Sequence, residues 1–327
     1  MLQHYTASKQ HNIHLREIAL KQGRSLSEYG IKMSEKGVKK YRTEKDFYQE
    51  LGMDLIPPEL REDVGEIEAA QKHQLPNLVE LKDIKGDLHI HSNYPIEPSH
   101  DLGTASIKEI VKKANEKGYQ YIGLSEHNPS IGQHSEKQII SILKRKRETI
   151  EHFKSSNRKL VRSIHLLNGL EIDIRPDGNL AIPDKGFDYL DYAIVSIHSS
   201  FRQSRKKATR RVLKALNYPK AVILGHPTGR ILNQREGMEF DWEQIFSFCR
   251  KRKKYLEINS RPNRLDLPDS LVREAVKNGV KMVIGSDAHQ LEGMDLMEYG
   301  VSVARRGWAR KKDIINTLTY NRIINNL

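Results

Sequence analysis

The fold class predicted is α/β: a barrel of seven parallel strands with crossover helices, preceded by a small helical segment. Three observations predict it. From Gly86 onward, short apolar, β-branched runs alternate with longer amphipathic stretches, the pattern of a parallel sheet with helical crossovers. Seven such units fit into the remaining chain, and barrels of this kind run to about 250 residues. Residues before about 80 have a different rhythm, so they form a separate unit. An open doubly wound sheet is the alternative arrangement of the same elements.

Taken in order, residues 12–22 and 44–51 read as short helices, with Gly23, Gly30 and Gly37 as breakers. Two prolines in Ile56-Pro57-Pro58-Glu59-Leu60 stop any helix, and a charged connector runs on to Leu81. The strand runs are 87–91, 121–125, 166–172, 192–197, 221–224, 255–259 and 282–286. Helical patterns lie between them at 106–117, 136–153, 206–216, 242–252 and 271–277. No Gly-rich loop is placed to cradle a dinucleotide or a nucleoside triphosphate, which removes those classes.

Composition narrows the partners. The 327 residues include 55 Lys and Arg against 42 Asp and Glu, a formal charge of +13. That balance favours a polyanion, nucleic acid first. Runs such as Lys144-Arg145-Lys146-Arg147 and Arg250 to Lys254 also sit beside apolar positions at helical spacing, where they would simply solvate helices. No window approaches the roughly 18 apolar residues of a membrane helix. The N-terminal stretch has no apolar core of a secretion signal. With one cysteine, Cys249, no intramolecular disulfide forms, which suits a reducing, cytoplasmic setting.

The chemistry lies at the ends of the strands. His89 and His91, at i and i+2, point to one face of the first strand. The second strand runs into Ser125-Glu126-His127, and the third carries Glu171 and Asp173. The fourth runs into His198, the fifth into His226, and the seventh into Asp287 and His289. A lone strand-end histidine is ordinarily satisfied by a carbonyl or water, but here six of the 14 histidines recur at one position type. Six of the seven strands deliver a metal-competent residue at their C-terminal ends, where parallel barrels assemble active sites. The other histidines, at 4, 11, 14, 73, 100, 134, 152 and 165, fall on polar helices or connectors. A nitrogen and oxygen donor set without cysteine points to Zn, Mn or Fe rather than a thiolate zinc.

The series GDLHIHS, SEHN, GLEIDI, SIHS, GHPTGR and SDAH resembles the PHP (polymerase and histidinol phosphatase) superfamily, in family order from about residue 83 to the C-terminus. GHPTGRIL, EINSRPNRLDL and SRKKATRRVLKAL are similar to the branch attached to bacterial and archaeal family X DNA polymerases. YTASKQHNIHLREIALKQG and LIPPELREDVGEIEAAQ resemble that polymerase's thumb and connector, although Ala7 stands where the family prefers Gly. The resemblance implies a thumb-like segment at 1–60, a connector at 61–82 and a phosphoesterase domain at 83–327 on a distorted seven-stranded barrel. It also implies about three divalent metals per chain. One would be held by His89, His91, Glu171 and Asp287. Glu171 would bridge to a second on His198 and His226. The third would use His127, His289 and a residue of the loop after the first strand. That loop departs from the family pattern, and Asp101 is the choice there with His100 as the fallback. Glu126 replaces the usual Asp before the histidine and is expected to support the metals from behind.

The activity this resemblance implies is hydrolysis of a phosphoester at the 3′ end of DNA, as a 3′→5′ exonuclease or 3′-phosphatase. Glu171, Asp287 and His198 are the expected catalytic group. Arg230, Arg261 and Arg264 are candidates for phosphate contacts, Asn259 for orienting substrate or water, and the basic segment 202–211 for following a DNA backbone. Each arginine has surface salt bridging as its competing role. No second carboxylate cluster suits nucleotide transfer, so this chain alone is not expected to polymerise DNA. Two other readings remain open: a histidinol-phosphatase-like enzyme, and a thumb and barrel subunit for a separately encoded polymerase palm.

Overall fold

The computed structural model describes residues 2–33 and 37–327, which divide into two compact units, Met1–Leu78 and Val79–Leu327. No helix among the described residues is long and apolar enough to cross a membrane.

In the first unit, helices α1 (Leu2–Tyr5) and α2 (Lys9–Lys21) are followed by three short strands, β1 (Arg24–Ser27), β2 (Gly30–Met33) and β3 (Gly37–Lys39), and then by α3 (Glu44–Glu50) and α4 (Glu66–Gln71). Ser8 caps α2 by accepting from the His11 N–H at 3.1 Å, and Thr43 caps α3 through Asp46. The strands pair antiparallel in the order β1-β2-β3. The expectation of a purely helical segment is corrected by these strands. Gly23 ends α2, but Gly30 and Gly37 begin strands, and strands of three or four residues are too short to show a period. His11 is buried, with Nδ1 2.5 Å from Glu66 and Nε2 3.2 Å from the Tyr48 hydroxyl; that contact is structural.

The second unit alternates strand and helix: β4 (Gly86–Ile90), α5 (Ile107–Glu116), β5 (Tyr121–Leu124), α6 (Glu136–Ser156), β6 (His165–Asn168), β7 (Glu171–Asp173), β8 (Ala193–Ser196), α7 (Arg205–Leu216), β9 (Ala221–Leu224), α8 (Trp242–Arg252), β10 (Tyr255–Asn259), α9 (Asp269–Lys277), β11 (Met282–Gly285), α10 (Met297–Arg306) and α11 (Tyr320–Ile323). All strands in it pair parallel, as β4-β5-β6 and as β11-β10-β9-β8-β7. Parallel bridges join the two sheets, Ile90 with Ala288 and, past the end of β5, His127 with Glu171, so the strands close into a barrel. The run expected as one strand at 166–172 is two segments, β6 and β7, interrupted at Gly169-Leu170. That break distorts the ring.

Two apolar layers hold the barrel. Its inner layer takes Tyr121, Leu167, Tyr192, Val222, Tyr255 and Val283, one or more from nearly every strand. Tyr192 crosses under β5, where its hydroxyl occupies the space a Cβ at Gly123 would need, and it donates to the Leu88 carbonyl. The outer layer packs Ile110, Val111, Leu143, Val212, Ile245 and Val272 of the helices against the strands. Stepping by two along a strand then leads from the inner layer to the mouth: Tyr255, Glu257, Asn259, and Val283, Gly285, Asp287.

Candidate metal centre

Most strands that end at the mouth present their polar residues inward by that same parity; β4, irregular in its pairing between Asp87 and Ile90, places Leu88 in the inner layer and His89 and His91 at the mouth. His89 lies within β4, and His91 follows it directly. Glu171 and Asp173 belong to β7. His127, His198, His226, Asp287 and His289 follow β5, β8, β9 and β11 by two to four residues. His226 and Asp287 adopt positive φ, 25° and 51°, a region costly for residues with a Cβ and found where a site imposes it.

Glu171 stands at the centre. Its Oε2 lies 3.1 Å from His127 Nδ1, 3.2 Å from His89 Nε2 and 3.4 Å from His91 Nε2. Its Oε1 lies 2.9 Å from His226 Nε2 and 3.3 Å from His198 Nε2. Asp287 Oδ1 sits 3.4 Å from His91 Nε2 and 3.6 Å from both His89 Nε2 and His289 Nδ1. Asp101 spans the rim, its two oxygens each 3.5 Å from an Nε2, of His127 and of His289. His100 turns to Asp173 instead, at 3.1 Å.

Among the described residues, donor atoms close enough to share one cation form four groups: His89, His91, Glu171 and Asp287; His127, Glu171 and His198; His91, His127 and His289; and His100, Asp173 and His198. The donor chemistry fits divalent ions. His89 Nε2, His91 Nε2, His127 Nδ1, His289 Nε2 and Glu171 Oε2 are all buried without a hydrogen bond, a costly state for polar atoms unless an ion satisfies them.

Carboxylates behind the rings fix which nitrogen faces inward. Glu257 Oε1 lies 2.6 Å from His89 Nδ1, and Asp173 Oδ1 lies 2.6 Å from His198 Nδ1. A ring whose Nδ1 donates to a carboxylate keeps Nε2 free as a ligand. Neither acid was given a role from sequence. The available signal was parity: Asp173 is two residues past Glu171, and Glu257 two before Asn259. Asn259 is fully buried and donates to Asp287 at 3.0 Å, so it orients that carboxylate and does not line the cavity.

The protonation of the cluster reflects opposing effects. Burial works to raise the Glu171 carboxyl, but the His127, His89 and His198 charges hold it well below the usual range. Asp287 is held low in the same way by His89 and His91. Burial opposes the charged form of His198, yet Glu171 and Asp173 push it up to about 9. Burial pushes His91 and His226 the other way, down, so the buried carboxylates are matched by protons on some of the rings or by metal.

Above the cluster is a cavity of about 210 Å³, whose wall includes Phe201, Ile231, Arg235, Arg261 and Arg264. Arg264 Nε is 3.8 Å and Arg261 Nη1 3.9 Å from Asp287 Oδ2. Arg230 lies apart from this wall, its guanidinium donating to the carbonyls of Arg264 (2.8 Å) and Leu265. Arg235 takes the place at the cavity, stacked 3.7 Å above the Phe201 ring; it sits in an aperiodic loop that offered no sequence signal. The charge run at 144–147 also departs from its solvated reading, because Lys146 is buried with Nζ 2.5 Å from the buried Glu126.

Comparison with known proteins agrees with the motif order. The PHP domain model matches residues 87–261, and the DNA polymerase beta thumb model matches residues 1–62. The chain is 38% identical over 322 residues to the DNA polymerase/3′-5′ exonuclease PolX of Bacillus subtilis, covering 96% of this chain and 53% of that protein. It therefore spans about half the length of that relative. It is 27% identical over 241 residues to a probable phosphatase of Thermoanaerobacter pseudethanolicus, with 71% of this chain and 89% of that protein covered. A probable phosphatase of Clostridium acetobutylicum is 28% identical over 214 residues, with 62% and 78% covered.

Proposed function

Because the chain belongs to the PHP domain family, we propose that it is a metal-dependent phosphoesterase acting on DNA 3′ ends, as a 3′→5′ exonuclease or 3′-phosphatase. The observation that carries the reading is Glu171, a buried carboxylate within 3.4 Å of five imidazoles. In the proposed assignment His89, His91, Glu171 and Asp287 hold one ion, Glu171, His198 and His226 a second, and His127, His289 and Asp101 a third. Mn, Zn or Fe bound there would activate water at neutral pH and offset phosphate charge. The residues themselves then have distinct tasks. Arg235, Arg261 and Arg264 grip phosphate oxygens at the cavity wall. Glu257 and Asp173 keep His89 and His198 turned inward, and Asn259 steadies Asp287. The DNA reading draws support from the thumb match and from the PolX likeness.

A cavity of about 210 Å³ also accommodates a small phosphoester, and the phosphatase relatives favour that second reading. One assay separates them: Mn-titrated hydrolysis of end-labelled single-stranded DNA, a 3′-phosphate end and histidinol phosphate side by side. Shortening of DNA, lost in Glu171→Ala and His198→Ala with the circular dichroism spectrum retained, is the expected result. Exclusive turnover of histidinol phosphate overturns the DNA reading. Metal analysis finding no ion after reconstitution with Mn or Zn overturns the site.

A further inference from the structure

We propose that the groove between α7 and α8 is a track for single-stranded DNA, holding the strand upstream of a 3′ end seated in the metal cavity; this rests on the DNA-end reading above. Lys206, Arg210 and Lys214 recur at i, i+4 and i+8, so they form one cationic stripe along α7. All three are exposed and none is paired with a carboxylate among the described residues; Lys214 Nζ donates to the Asp177 carbonyl at 3.2 Å. Beside the stripe lies a groove of about 880 Å³, with Leu213 of α7 in one wall and Gln244 and Phe248 of α8 in the other. The one acid there, Asp241, is engaged in capping α8, accepting from Gln244 N at 3.2 Å and from its side-chain amide at 2.8 Å. Cations for phosphates beside an aromatic face for a base are the parts with which proteins hold single strands without reading sequence.

The groove is also tied to the site. Phe201 lines the metal cavity, and Arg205 lines the groove. They are four positions apart, a reach of at most about 14 Å. Arg211, next to Arg210 on the buried flank of α7, is 2% exposed. It donates to the carbonyls of Arg175 (2.9 Å), Ser199 (3.0 Å), Ser200 (3.3 Å) and Ile174. Those carbonyls belong to the loops that leave Asp173 and His198. One buried guanidinium thus holds the cationic helix in a set position against the catalytic loops, so a bound strand would meet the cavity in a constant register.

The test uses the full chain with Mn; binding is followed by fluorescence anisotropy from low to moderate salt on a 5′-labelled 20-nucleotide strand whose 3′-terminal linkages are hydrolysis-resistant phosphorothioates, and cleavage on the unmodified strand. Each phosphate contact removed lowers the log–log salt slope by about 0.7 for single strands, so Lys206→Ala, Arg210→Ala and Lys214→Ala together should lower it by about 2. Phe248→Ala should weaken binding about fivefold or more, and Phe248→Tyr should retain it. A matched triple on α5 and α6, Lys108→Ala, Lys112→Ala and Lys137→Ala, makes the same charge change elsewhere and should leave the slope as in the parent. The groove triple should also raise KM for the 20-mer relative to KM for a dinucleotide, which reaches only the cavity. An unchanged slope in the groove triple, equal loss in the matched triple, or preferential capture of polyglutamate over the strand overturns the track. If the parent binds the strand with the expected slope but cleaves neither DNA substrate, the DNA-end activity fails while the track stands. If dinucleotide cleavage persists and the slope does not move, only the track fails.

Discussion

Replacing Lys146 with Met should expose how much of the site depends on a buried ion pair behind it. Lys146 is 1% exposed on α6, and its Nζ lies 2.5 Å from Glu126 Oε2, 2.6 Å from the Gly169 carbonyl and 3.0 Å from the Leu124 carbonyl. Met keeps the chain volume and removes the charge. Glu126, also 1% exposed, would then retain only the backbone and hydroxyl of Ser92. Breaking a buried pair by deleting one partner costs about 3–5 kcal/mol, because the remaining charge is left in a low dielectric. Two carbonyls also lose a donor, which places the expected cost toward the upper end of that range. In a unit of this size each kcal/mol moves Tm by about 2–4 °C, so a fall of roughly 6–20 °C is expected. Thermal and urea unfolding with metal chelated keeps metal binding out of the comparison. Lys146→Met with Glu126→Gln should recover most of the loss, since a neutral amide can still accept from Ser92. A single variant within about 1 kcal/mol of the parent, or a double variant no more stable than the single, would refute the reasoning. Ser92 follows His91 and Glu126 precedes His127, so metal affinity should also drop, by about 10–100-fold.

A Cβ at Gly285 would fall on Glu257 Oε1 and lie 3.0 Å from the His89 Cβ, so Gly285→Ala should displace Glu257 from His89 and lower metal content, measured by plasma emission. Retained stoichiometry and affinity would show that Glu257 does not set the His89 ring. His198 is pushed up to about 9, so the metal-free site holds a proton there at pH 7 that an ion must displace. Apparent affinity should therefore fall about tenfold per pH unit, per proton released, as pH drops below 9. Calorimetry in buffers of differing ionisation enthalpy measures that release, and its absence would remove His198 from the ligands. Burial pushes the Cys249 thiol up to about 12 and leaves it 1% exposed, so a disulfide reagent at pH 8 should titrate no thiol until the chain is unfolded. Rapid native labelling would contradict the packing of α8.

Much of the barrel was legible along the chain because its information is local. Strand runs and amphipathic helices announce themselves through periods of 2 and 3.6, and a parallel barrel places every strand end on one side. That is why His89, His91, His127, Glu171, His198, His226, Asp287 and His289 could be nominated together, and why all of them meet in the structure around one carboxylate. The strands β1, β2 and β3 were not legible, because such short strands carry no measurable period. The break between β6 and β7 was not legible either, since one apolar run looks the same whether its register holds or slips.

The linear order of residues determined the alternation, the side of the barrel that carries chemistry, and the donor types that exclude a thiolate site. Only the tertiary structure decided what each side chain does once there. Arg230 binds carbonyls while Arg235 reaches the cavity, Asn259 serves Asp287 and not the cavity, and Lys146 leaves its charge run to neutralise Glu126. The partner in such a pairing can lie 168 positions away, as Glu257 does from His89. Sequence spacing encodes the direction of a side chain along its own element. Which distant group it meets is set by how the elements close on one another.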